Sequence, residues 1–175
     1  MSQSILVAGI GNIFLQDDGF GVEVAKRLAD SGLPEEVKVA DFGIRGVHLA
    51  YEMLDGGYDT TILIDAAPRG EAPGTVYLIE PDLANFDTQQ TALPDAHSMD
   101  PQLVLATLKS LGGSLRRVLI VGCEPLETED GIGLSEPVDR AVGEAVRLVH
   151  SVVDNLAAER MSQEVVAKRS SDIVG

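Results

Sequence analysis

Three side chains in this sequence, Asp18, Asp65 and His97, are of types that together hold a divalent transition metal. Two carboxylates and an imidazole leave coordination positions open for water or a substrate group. Asp18 lies in the run Asp17-Asp18-Gly19-Phe20-Gly21, just after the glycine turn Gly9-Ile10-Gly11-Asn12. Asp65 directly follows Ile62-Leu63-Ile64, where an acid costs desolvation unless it is paired or liganded. His97 stands just before Asp100-Pro101, which reads as the cap and first residue of a helix. The three form no linear metal motif, so they act together only if the fold converges them.

The elements that must position them are legible as runs. Residues 5–8, 62–64 and 118–121 are short uninterrupted apolar segments followed by turn signals, the pattern of central parallel strands covered on both faces. A further strand spans 37–41. Val22, Ala25, Leu28 and Ala29 share one face of a first helix, and residues 47–54 supply a second. Residues 60–66 and 75–80 are both strand-like, yet only eight residues with two prolines and two glycines separate them. That is too short for a helical crossover, so the fourth strand must run antiparallel, near the sheet edge. The chain then has to return along 81–98, and the helix carrying Leu103, Leu105, Leu108 and Leu111 leads down to the fifth strand. This topology delivers His97 to the rim where the first and third strands end. From Ser135-Glu136-Pro137 a last helix runs to Leu156, with 1–158 forming one domain and the polar tail 159–175 expected to fray.

Duller readings stand beside these. Asp18, or Asp17, has the composition of a helix cap, and His97 sits in a polar loop where solvated histidines are common. His48 and His150 lie on predicted helices. Cys123, the sole cysteine, excludes an internal disulfide and a cysteine-based zinc site. No Ser or Cys nucleophile with a local histidine partner is present. Gly9-Ile10-Gly11 opens like a dinucleotide fingerprint, with Asp41 where a ribose-binding acid would stand, but Phe14 occupies the position of the third glycine. A nucleotide-binding domain is therefore the weakest of the alternatives.

At 175 residues the chain is sized for one well-cored domain. Its 28 acidic against 13 basic side chains, a formal charge of −15, disfavour nucleic acid and anionic membranes and favour a partner with a basic segment. With no targeting segment or membrane span in the sequence, a cytoplasmic monomer is expected.

The segments 9–12 with 17–21, Asp41-Phe42-Gly43-Ile44-Arg45-Gly46, Ile64-Asp65-Ala66, the His97 region, and 121–122 through 133–135 together resemble the hydrogenase maturation endopeptidases. The resemblance covers nearly the whole chain up to the last helix. It implies a three-layer α/β/α protein with a twisted, mixed, mostly parallel five-stranded sheet. It further implies an endopeptidase that trims the C-terminal extension of a nickel-iron hydrogenase large-subunit precursor. Its metal ligands and catalytic residues fall on Asp18, Asp65 and His97, with nickel supplied by the substrate and no organic cofactor. A non-catalytic nickel-sensing maturation chaperone is the alternative from another class.

Overall fold

Five apolar segments take the extended form that the sequence predicts: β1 (Ile5–Ile10), β2 (Val37–Gly43), β3 (Thr60–Ala66), β4 (Val76–Ile79) and β5 (Arg117–Cys123). The computed structural model describes residues 4–85, 101–114 and 116–173, with side chains to 171. In it the strands form one sheet in the order β2-β1-β3-β5-β4. β1, β2, β3 and β5 are parallel, and β4 pairs antiparallel with β5 at the edge. The short loop before β4 has the consequence expected of it.

Among the described residues four α-helices cover the two faces: α1 (Phe20–Ala29), α2 (Gly46–Asp55), α3 (Pro101–Ser110) and α4 (Glu136–Ile173). Strand alternation divides the core between them. Ile5, Val7, Ile62, Ile64, Leu119 and Val121 pack with Phe20, Val24 and Leu28 of α1 and Val138, Val142 and Val149 of α4. On the other face Leu6, Ala8, Ile10, Leu63 and Val118 pack with Leu49 of α2 and Val104 and Leu105 of α3. Every residue of β1 and β3 is buried, so these two strands form the rigid centre on which the first loop rests.

At its first turn α1 meets that centre backbone to backbone. A Cβ on Gly21 would fall 2.1 Å from the carbonyl oxygen of Ile64 and 2.4 Å from that of Ile10; one on Gly9 would fall 2.2 Å from that of Gly21. The glycines flanking the first turn are therefore required by helix-strand contact.

The tail departs from expectation. α4 continues to Ile173 instead of fraying after Glu159, although residues 161–171 are all exposed. The packed part of the helix already supplies the costly nucleus, and each further residue adds a hydrogen bond. Ala157, Ala158, Arg160, Met161, Gln163 and Glu164 are strong helix formers, and Arg160 pairs with Glu164 at 3.1 Å.

Two glycine substitutions should move stability in opposite directions. Gly21→Ala should lower the urea midpoint by an amount worth about 3 kcal/mol, at the upper end of overpacking costs. Gly143→Ala, in α4 with its nearest neighbour atom 3.6 Å away, should gain about 0.5–1 kcal/mol.

Candidate active site

The first loop is a folded device. Gly11, at φ 130°, lets the chain turn so tightly that a Cβ there would sit 1.8 Å from the carbonyl oxygen of Asp18. The side chain of Asn12 accepts the amide of Phe14 at 2.9 Å, and the backbone N–H of Asn12 donates to Asp18 Oδ2 at 2.7 Å. Gln16, the one non-glycine with positive φ (49°) among the described residues, starts a 3-10 turn over Gln16–Gly19. Its N–H donates to Gly131 and Gly131 donates back to Phe14, so the 126–131 segment splints the loop.

The adjacent acids have opposite environments. Asp17 is fully buried and accepts four hydrogen bonds, from the amides of Leu126, Glu127 and Ser135 and from the Ser135 hydroxyl, at 2.7–2.9 Å. Burial pushes its carboxyl up, but these donors together outweigh burial and hold it below the ordinary value. Asp18 is half-buried with Asn12 its one donor among the described residues, and burial raises it above the ordinary value. Neither side chain caps α1, whose start at Gly19 has no side-chain cap. Asp17 ties the first loop to the start of α4, and Asp18 is left to face the cleft.

Asp65, 2% exposed, sits at the carboxyl end of β3, in register with Gly122. It shares strand parity with Leu63 and so lies on the α2/α3 side. Its Oδ1 is 3.7 Å from the position a Gly11 Cβ would take. Asp18 and Asp65 line one cleft of about 580 Å³, together with Arg69, Tyr77, and Pro101 and Gln102 at the start of α3. The amino end of α3 has thus come to the rim that the topology demanded. His97 and its neighbours lie outside the described residues; the histidine precedes Pro101 by four positions, a reach of at most about 14 Å. Among the described residues no three-membered group of metal-ligating side chains forms; the structure brings Asp18 and Asp65 to one cleft, and the expectation for His97 falls on residues outside those described.

The remaining candidates fall elsewhere. His48 is exposed on α2, and His150 meets Ser31 Oγ at 2.8 Å. Cys123 is fully buried, and burial pushes its thiol up to about 12, which makes it inert as a nucleophile. Asp41 is exposed, in a second groove with Asn12, Phe14, Ile44 and Arg45; Arg45 folds back onto the carbonyls of Asp41 and Phe42.

Sequence reasoning passed over Arg69, Tyr77 and Glu124. The Tyr77 ring lies over Gly122, where a Cβ would be 2.2 Å from it, and its hydroxyl donates to the carbonyl of Ala67 at 2.8 Å. Burial pushes that phenol up to about 12, so it remains a donor. The Arg69 guanidinium stands 5.0 Å over the ring. Buried Glu124 accepts the Arg69 amide at 2.6 Å. The one available signal was the missing side chain at Gly122 within a buried strand.

Known proteins similar to this chain in sequence and fold agree on its class. Residues 22–152 match the family model described as hydrogenase maturation protease, a span holding Asp65 and His97 and beginning just past Asp18. The chain is 28% identical over 164 residues to the Hydrogenase 2 maturation protease of Escherichia coli K12, covering 93% of this chain and 98% of that protein. It is 33% identical over 153 residues to the hydrogenase expression/formation protein HupD of Rhodobacter capsulatus, covering 83% of this chain and 70% of the relative. The solved hydrogenase maturating endopeptidase HybD from E. coli superposes with a TM-score of 0.69 at 30% identity, covering 91% and 94% of the two chains. The fold, with these matches, places the chain among α/β peptidases. This chain belongs to the hydrogenase maturation protease family.

The two neighbouring acids should separate in thermal or urea melts. Asp17→Ala strands four donors and should cost about 3 kcal/mol or more, whereas Asp18→Asn should stay within about 1 kcal/mol of the parent. Asp17 is held below its ordinary 3.8, so its contribution is complete above that pH and fades as pH falls through the lower, folded-state value. The parent should lose stability on acidification below about pH 4, and Asp17→Asn should lack that part of the slope.

Proposed function

We propose that this protein cleaves the C-terminal extension from a nickel-iron hydrogenase large-subunit precursor after nickel insertion, reading the inserted nickel as its licence. Asp18, Asp65 and His97 are the groups assigned to the substrate's nickel. The observation that carries the reading is the burial of Asp65 at the end of β3, beside Gly11 and in one cleft with Asp18. Two carboxylates at the mouth of a parallel sheet are positioned for a cation, and the rim is where ligands meet such sheets.

Two carboxylates and an imidazole cannot choose nickel over copper by affinity. Selection therefore lies with the precursor, whose cysteine thiolates already hold the ion when it arrives. The bridge fixes the polypeptide beyond the last metal-binding cysteine against the cleft, turning an intermolecular encounter into a positioned one. Attack by water fits a site with no activated thiol: Cys123 is sealed and protonated. The groove beside Asn12 offers exposed Phe14 and Ile44 to apolar parts of the precursor, with Asp41 at its side for contact or proton transfer. No described helix is long and apolar enough to cross a membrane.

Incubation with nickel-loaded and nickel-free precursor, followed by intact-mass measurement of the large subunit, tests this. The loaded sample alone should lose the mass of the extension; unchanged mass in both would favour a nickel-sensing chaperone. Losing an outer partner of a ligand already costs about 10–100-fold. Asp65→Asn and His97→Ala should therefore lower the processing rate about 100-fold or more while remaining folded by circular dichroism.

A further inference from the structure

The loop between β3 and β4, residues 67–75, carries a cation to the wall of the cleft. Four hydrogen bonds fasten this loop to the end of β5. Ala67 N–H donates to the Cys123 carbonyl at 3.0 Å, Gly74 N–H to the Glu124 carbonyl at 2.8 Å, Glu124 N–H to the Thr75 carbonyl at 2.9 Å, and Arg69 N–H to Glu124 Oε2 at 2.6 Å. Glu124 is only 6% exposed, and its carboxylate is committed to this clamp. The loop is built to hold Arg69 in place.

Above that backbone the guanidinium stacks on Tyr77, whose ring is seated on Gly122 and whose hydroxyl is tied to Ala67. Stacking occupies one face of the guanidinium and leaves its N–H edge free to meet an acceptor in plane. Among the described residues that edge has none, although the chain carries 28 acidic side chains. The same cleft presents Asp18 and Asp65. It is thus bipolar, with an acid end suited to a cation and a guanidinium end suited to an anion on the same substrate.

We infer that Arg69, stacked on Tyr77 and held by Glu124, receives a carboxylate of the precursor polypeptide and so sets where the chain to be cut lies. Arg69 is a specificity-determining residue with no part in the bond-breaking step, and Glu124 is a positioning residue. The inference rests on the peptidase reading for its substrate. The carboxylate comes either from an acidic side chain in the extension or from the precursor's own C-terminus; both present the same planar pair of oxygens.

Steady-state processing of nickel-loaded precursor by Arg69→Ala and Arg69→Lys provides the test. Arg69→Ala should raise KM about tenfold with kcat within about twofold, and Arg69→Lys should recover only part, because it restores charge without the fork. In one arm the acidic residues of the extension become Asn or Gln; in another a Gly-Ser segment is appended so that the chain end moves away. The Arg69→Ala penalty should vanish in whichever arm removes the true carboxylate. Glu124→Gln should raise KM in the same direction, and only on substrates that keep that carboxylate. An unchanged KM for Arg69→Ala, or a penalty that persists in both arms, overturns the inference. Binding of loaded precursor without cleavage is measured alongside. A parent protein that binds but never cuts would defeat the peptidase reading, while the Arg69 comparison in binding would still decide the carboxylate contact.

Discussion

The site depends on a contact made by the absence of side chains. Gly9, Gly11 and Gly21 let the first loop and the start of α1 press backbone to backbone against β1 and β3, at separations that no Cβ could share. Asp18 and Asp65, 47 positions apart in the chain, meet in one cleft because nothing stands between those two segments. The same compression sends Asp17 the other way. Its buried, fourfold-bonded carboxylate locks the loop to residues 126–135, so Asp18 is presented by a frame whose own acid is spent on structure.

A second constraint acts from the far edge of the sheet. Because β4 is antiparallel, the chain leaves it at the rim opposite the site and must travel back before α3 can begin. α3 consequently starts beside Asp18 and Asp65, with Pro101 and Gln102 on the cleft wall. The turn into β4 delivers Arg69 and Tyr77 to the same wall. One reversed strand therefore bears on both the start of α3 at the cleft wall and the cation of the cleft.

These features differed in how well the sequence exposed them. Asp65 was legible because an acid abutting Ile62-Leu63-Ile64 contradicts its surroundings, and the antiparallel strand was legible from loop length alone. The division of labour between Asp17 and Asp18 was not: the partners of Asp17 lie more than 100 positions away, and both acids read equally well as helix caps. Arg69 and Tyr77 gave no periodic signal, since their meaning comes from the bare backbone at Gly122 on a neighbouring strand. The tail looked unstructured because its apolar pattern fades into mixed polar sequence and buries nothing, yet propagation from a packed helix needs no burial. His97 was placed by topology, and its position lies outside the described residues.

Convergence of Asp18, Asp65 and His97 on one ion is the central claim, and paramagnetic broadening of backbone amide signals by added Ni²⁺ addresses it directly, since even weak, transient occupancy of a site is visible. The account predicts that broadening centres on residues 11–12, 18, 65–66 and 97 and collapses in Asp65→Asn. Broadening centred instead on His48 or His150, with the cleft residues untouched, would contradict it.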